Sequence, residues 1–348
     1  MEITFAVAGD IMAHDSQIAA AYDKKCDCYD FKPVFATAAP LFKDVDVAIA
    51  NLETTLPGKN YSGYPAFGAP DSLVDAATMA GINLFLMANN HCLDKGRDGL
   101  LRTLQVLDEK KIPHLGVYGS EQEYEKNRIF LLNKNGLTVA LLNYTYGTNG
   151  IATPSGVVVN RISQAQVSTD IARAREMHVD AVIVFYHFGR EYLNKPDSYQ
   201  RSMVAHALAS GADIVLGGHP HQVQPYELLD SQGPDRPRLV AYSVGNFISA
   251  QRDRYTSGGM VLYFKLVKKQ DAAGKPDIDI TDVHHKLVWI YISHEGEHKQ
   301  FHILPIEDTL AAKDSSALPP SAIAGMTSYR DDVEDVLKYK VSEKRKGR

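Results

Sequence analysis

Along the chain, short runs of consecutive apolar residues alternate with stretches in which apolar positions recur every three or four residues. The first kind reads as strands buried on both faces, the second as helices with one apolar side. Strands are predicted at 3–8, 46–50, 82–88, 137–144, 180–189, 212–221 and 238–247. Helices are predicted at 70–81, with Asp71 or Ser72 as cap and Gly81 as stop, and at 96–111, with Leu100, Leu104 and Leu107 on one face. Two more are expected at 163–178, capped by Ser163, and at 196–212, ending at Gly211. This alternation implies βαβ units and a largely parallel sheet. After Gly259 the pattern changes to antiparallel strands with polar turns, and the segment from Ser328 to Arg348 is charged and helical, then frayed. There is no internal repeat and no linker able to separate two independent domains. The expected organisation is a core at 1–259, a β extension of it at 260–310 and a charged, partly helical tail at 311–348. The turn-rich stretch Pro57–Pro70 reads as a long loop that could face a substrate.

The strands share a feature at their carboxyl ends, where open α/β sheets place their sites. Those ends carry Asp10, Asn51, Glu53, Asn89, Asn90, His91, His187, His219, His221 and Asn246. Each alone has an ordinary reading as a turn or cap residue. Together they converge, because the ends of one sheet meet in space. Carboxylate, carboxamide and imidazole suit Mn²⁺, Fe²⁺ or Zn²⁺, and the set contains no cysteine of the kind a structural zinc site uses. In "GGHPH" the glycines let the backbone approach closely while His219 and His221 point to different sides.

Composition narrows the picture. The 348 residues carry 37 basic and 42 acidic side chains, a net charge of −5, which gives no electrostatic footprint for nucleic acid. No segment approaches the roughly 20 apolar residues of a membrane helix, and no signal peptide is readable before the strand at Ile3. The cysteines, Cys26, Cys28 and Cys92, are odd in number; free thiols are expected, which leans toward a reducing compartment. His284, His285, His294, His298 and His302 read as exposed strand residues and Trp289 as core.

The series "GDIM", "NLETTL", "NNHCLDKG", "HFGREY", "GGHPHQVQ" and "YSVGNF", in this order from Gly9 to Phe247, resembles the capsule poly-γ-glutamate synthesis protein family of the CapA/PgsA type, which is related to the calcineurin-like metallophosphoesterases. The resemblance implies a four-layer α/β/β/α sandwich of metallophosphoesterase type, with one or two divalent ions at the strand ends. By motif, Asp10 would bind a metal, Glu53 stands where the phosphoesterases have a bridging aspartate, Asn90 would be a ligand and His91 the proton donor. His187 and His219 would complete one ion's shell and His221 would serve the other. Glu191 could be a ligand, an orienting group or a base. Arg252 and Arg254 could clamp an anionic substrate or form a solvated loop; Asn246 and Tyr192 fall on the substrate side. Where phosphoesterases have Asp-x-His, this chain has Met12, and His14 follows at an offset that suits a surface or loop residue. One tight ion with a weak or missing second is therefore open. The implied function is a metal-dependent hydrolase acting on a phosphoester or an anionic polymer. The alternative is a non-catalytic metal-binding subunit that binds poly-γ-glutamate or its membrane-bound synthase. Family kinship favours a place outside the cytoplasm, at the cell surface, if an N-terminal anchor has been removed; otherwise the protein is cytoplasmic.

Overall fold

The computed structural model describes residues 1–229, 236–270, 276–296, 298–312 and 318–341, and in it the apolar runs pair into two large facing sheets. The first follows the spatial order His298–Pro305, Pro276–Glu295, Gly258–Gln270, Glu2–Ile11, Val47–Leu52, Leu84–Leu86 and His114–Leu115. Its half from Glu2–Ile11 to His114–Leu115 is parallel, and the half from Gly258 onward antiparallel. The second sheet runs Tyr226–Leu229, Arg238–Ala241, Ile214–Gly218, Ala181–His187, Leu137–Thr145 and Phe130–Lys134, with only its two edge pairings antiparallel.

Three buried clusters separate four layers. Phe5, Val7 and Ile49 of the first sheet meet Leu141, Ile183 and Leu216 of the second between the sheets. Leu73, Leu100, Leu104 and Leu107 cover the outer face of the first sheet, which also buries Ala48 and Phe85. Val167, Ile171 and Val204 cover the outer face of the second. The result is an α/β/β/α sandwich, and each fully buried aliphatic side chain contributes about 1.5–3 kcal/mol to holding it. The helices sit where periodicity and caps place them. Gly81, at φ +113°, ends Ser72–Met79, Ser163 accepts from the Gln166 amide ahead of Gln164–Glu176, and Asp197 forms a capping box with Gln200 ahead of Ser198–Ala209. Pro320–Leu337 lays Met326, Tyr329 and Val333 into the inter-sheet cluster, while residues 342–348 of the expected tail lie outside the described residues.

Three expectations change. The predicted strand at 238–247 is two strands: Arg238–Ala241 belongs to the second sheet and Asn246–Ile248 pairs with Glu2–Ile11 in the first. Both halves are buried, so hydrophobicity does not mark the crossing, which turns at Gly245, φ +75°. Cys26 and Cys28 are joined in a disulfide at the end of a small hairpin rather than free; Cys92 is a buried thiol whose pKa burial pushes up to about 12. Trp289 is half-buried at the margin of the core rather than inside it. No helix among the described residues is long and apolar enough to cross a membrane.

Candidate metal centre

Asp10 stands one residue before the end of the first strand, between two neighbours, in register with Asn51 on one side and Asn246 on the other. The residue before it must be glycine. A Cβ on Gly9 would lie 1.8 Å from the carbonyl oxygen of Gly245, where the chain crosses between sheets. Gly9→Ala should therefore lever the Asp10 end away from the crossover, at a cost of about 1–3 kcal/mol of overpacking; urea unfolding measures the loss, and metal affinity should fall with it. On the second sheet, Ala181–His187 delivers His187 and Ile214–Gly218 delivers His219 and His221. Both of these hold left-handed backbone, φ +99° and +57°. Non-glycine residues take up such conformations at a cost of order 1–3 kcal/mol, a strain typical of functional sites.

Five side chains converge. Asp10, Glu53 and His187 offer ligand atoms within 4.8 Å of one another, and so do Glu53, His219 and His221. All five are buried. Glu53 belongs to both groups, and the groups are interlocked: the His187 and His219 rings lie 4.8 Å apart, and His221 Nδ1 is 3.4 Å from Asp10 Oδ2. Two buried polar atoms in this cluster, Glu53 Oε1 and His219 Nδ1, have no hydrogen-bond partner. An unsatisfied buried polar group costs about 1–3 kcal/mol, a cost that coordination to a cation removes. The acidic and histidine groups are thus placed for a divalent-metal site.

Asn51 is the hub that orients them. Its Nδ2 donates to Asp10 Oδ1 at 2.8 Å and Glu53 Oε2 at 3.4 Å and lies 3.3 Å from His187 Nδ1, while its Oδ1 accepts from Asn89 at 3.0 Å. His187 Nε2 sits 2.7 Å from Asn90 Oδ1 and 3.4 Å from Glu53 Oε1. His221 Nδ1 lies 3.4 Å from Asp10 Oδ2 and 3.1 Å from Asn246 Oδ1. Burial works against the Asp10 carboxylate, but the His221 hydrogen bond and the neighbouring imidazoles hold its pKa below the usual carboxylate value. Burial opposes a charge on His221 as well; the Glu53 and Asp10 carboxylates override it and raise that imidazole to about 9. Burial, and then the neighbouring His187, His221 and His91 imidazoles, hold His219 well below the usual value. Ligation needs neutral imidazoles, so metal uptake at His221 displaces a proton.

His91 stands beside this cluster with a carboxylate of its own. Its Nδ1 is 2.6 Å from Asp94 Oδ2, its ring packs edge-on against Phe67 at 4.7 Å, and Asn149 Nδ2 reaches it at 3.4 Å. Burial lowers its pKa, while the Asp94 hydrogen bond and the Glu53 charge more than reverse that and raise it. Phe67 belongs to the loop Pro57–Pro70, so that loop walls the His91 side; His14 lies on the same wall, 5.0 Å from the Phe67 ring, its Nδ1 3.3 Å from the Ala250 amide.

Of the remaining expected residues, Asn246 is in the cluster. Tyr192 stands at the rim, half-exposed, 6.1 Å from the His221 ring. Glu191 is exposed next to it. The arginines are turned elsewhere: Arg254 pairs with Asp332 at 2.7 Å, and Arg252 donates to the Ile290 carbonyl at 3.0 Å. Sequence reasoning gave no part to Asp94, Asn149 or Tyr146, whose ring lies 4.5 Å from that of His219. Asp94 lies inside the stretch "NNHCLDKG", three residues after His91, a spacing at which a turn returns one side chain to another.

Comparison with known proteins gives the family and the fold. The model of the family "Bacterial capsule synthesis protein PGA_cap" matches residues 4–251. The chain belongs to this family. It is 28% identical over 278 residues to the capsule biosynthesis protein CapA of Bacillus anthracis, covering 76% of this chain and 64% of that protein. It is 25% identical over 256 residues to the PGA biosynthesis protein CapA of Bacillus subtilis, covering 72% and 65% respectively. The chain thus spans just under two thirds of the length of these curated relatives. Among solved structures, the NAD nucleotidase NadN of Haemophilus influenzae superposes with a TM-score of 0.51 at 13% identity, covering 90% of this chain and 63% of NadN. A Staphylococcus aureus protein assigned as a 5'-nucleotidase also gives 0.51, at 17% identity, covering 97% and 59%. These likenesses show a metallophosphoesterase fold.

Proposed function

We propose that this chain is a metal-dependent hydrolase of capsule or poly-γ-glutamate biosynthesis, cleaving a phosphoester or a bond in an anionic polymer. The observation that carries the reading is the shared Glu53: two buried ligand groups joined through one carboxylate, with Glu53 Oε1 and His219 Nδ1 making no hydrogen bond. Asp10, Glu53 and His187 would hold one cation, Glu53, His219 and His221 a second, and Mn²⁺, Fe²⁺ and Zn²⁺ all suit this donor set. A bound cation of this kind supplies Lewis acidity and lowers the pKa of water toward neutrality. Asn51 and Asn89 fix the ligand orientations. With Nδ1 engaged by Asp94, His91 has Nε2 free to hold a proton for a leaving oxygen. Tyr192 and Glu191 border the entrance.

Elemental analysis and turnover measured on the same preparation test this. The parent protein should retain divalent metal and hydrolyse a chromogenic phosphodiester in the presence of Mn²⁺. His219→Ala should lose turnover and part of the metal. Metal without turnover would instead favour the non-catalytic reading, in which the chain binds poly-γ-glutamate or its synthase. A metal-free parent that behaves like the variant would refute both.

A further inference from the structure

Away from the metal centre, the described residues enclose a groove of about 640 Å³ between the strand Pro276–Glu295 and the start of the helix Pro320–Leu337. Its lining combines one cation with an aromatic ledge. Trp289 and Tyr291 stack at 5.9 Å with an interplanar angle of 20° and form that ledge; His294 and Ser321 stand at its rim. Arg252 enters from the segment that follows Asn246–Ile248. One of its nitrogens donates to the Ile290 carbonyl, which fixes the guanidinium against the strand and leaves its other N–H groups without a described acceptor. Arg254, two residues on, is paired with Asp332; Arg252 has no carboxylate partner among the described residues. Parts of Arg252 stay exposed, yet its surroundings withdraw enough water to pull the guanidinium down to about 10, still cationic at neutral pH, and no acid offsets this.

A fixed cation beside stacked aromatic faces suits a chain that alternates anionic groups with apolar linkers. Guanidinium binds carboxylate in a bidentate fashion, and aromatic faces accept methylene and amide segments between charges. We propose that this groove is a second binding site, separate from the metal centre, that takes a polycarboxylate chain, with Arg252 holding one carboxylate and the Trp289–Tyr291 ledge carrying the backbone beside it. The choice of a polycarboxylate over another anion rests on the capsule-polymer reading above.

Trp289 is the only tryptophan of the chain, so intrinsic fluorescence reports directly on this groove. Titrating the full chain with poly-γ-glutamate should change its emission saturably, and added salt should weaken the effect. Arg252→Gln should weaken binding about tenfold or more, the scale of a lost charge-assisted hydrogen bond. Ser321→Asp puts a negative charge in the groove in the first turn of the helix, where it stabilises that helix. It should therefore weaken polymer binding while melting no lower than the parent, which separates lost binding from lost folding. His219→Ala should leave the titration unchanged. No saturable response, or equal responses in parent, Arg252→Gln and Ser321→Asp, would overturn the groove. A response to inorganic phosphate as strong as that to the polymer would overturn the polycarboxylate assignment. Loss of groove binding with turnover intact refutes the groove alone, and groove binding without turnover upholds it while refuting the hydrolase.

Discussion

Glu53→Gln should empty the centre of both cations and reduce turnover to background, where substitution of Asp10 or of His219 should cost one. The argument is geometric. Asp10 and His187 belong to one ligand group, His219 and His221 to the other, and Glu53 alone to both. Glutamine keeps the volume and the hydrogen bond from Asn51 but withdraws the charge that two cations would share. The stability change should run the other way. A fully buried carboxylate, one oxygen of which accepts no hydrogen bond, is costly in the metal-free protein, so metal-free Glu53→Gln should melt no lower than the parent. Adding Mn²⁺ should raise the Tm of the parent, by the equivalent of about 2.7 kcal/mol at 100 times Kd, and leave the variant unmoved. Removing Glu53 also takes away the first of the charges that raise His221, so fewer protons should be released on metal addition. Elemental analysis with calorimetric melting in metal-free and metal-loaded buffer checks all of this. A variant that keeps a full metal complement would refute the bridging role.

The convergence of these side chains was legible because a buried parallel strand leaves a sharp signature: an apolar run that stops, followed closely by a polar residue. Asp10, His187 and the pair His219 and His221 follow such runs, and the facing ends of the two sheets gather what stands there. How the rings of His187, His219 and His221 stand around Glu53 was not legible, because it depends on the left-handed backbone at both loop histidines, which chain spacing does not encode. The crossing at Tyr242–Gly245 was hidden because both sides of it are buried. The arginines after "GNFIS" read as one charged loop, yet one is spent on Asp332 and the other turns into a groove formed with a helix some seventy residues later in the chain. Asp94 was passed over because a lone acid in a polar turn looks like any other. Its role comes from the fold of the turn that brings it to His91.

The His91–Asp94 pair should set the rate without setting the metal content. His91→Ala removes the proton source, and general acid groups of this kind contribute about 10²–10⁴-fold; turnover should fall by that order while the metal complement holds, since His91 is in neither ligand group. Asp94→Asn tests positioning. The asparagine can still accept from the Phe67 amide, as Asp94 does at 2.7 Å, so the loop Pro57–Pro70 should stay docked. The charge facing His91 Nδ1 is lost. In the parent, burial pulls His91 down while the Asp94 hydrogen bond, with Glu53 beside it, brings it above its ordinary value; the variant imidazole should titrate lower. A general acid works in its protonated form, so kcat falls as pH rises through its pKa. The descending limb of the pH–rate profile should therefore move to lower pH in Asp94→Asn, with the ascending limb unchanged and the loss of activity smallest in acid. A substrate whose leaving group needs no proton, such as a nitrophenolate, should be hurt far less by either change than an alkyl ester. A uniform loss at every pH and for both leaving groups would mean that Asp94 serves only the packing of the turn.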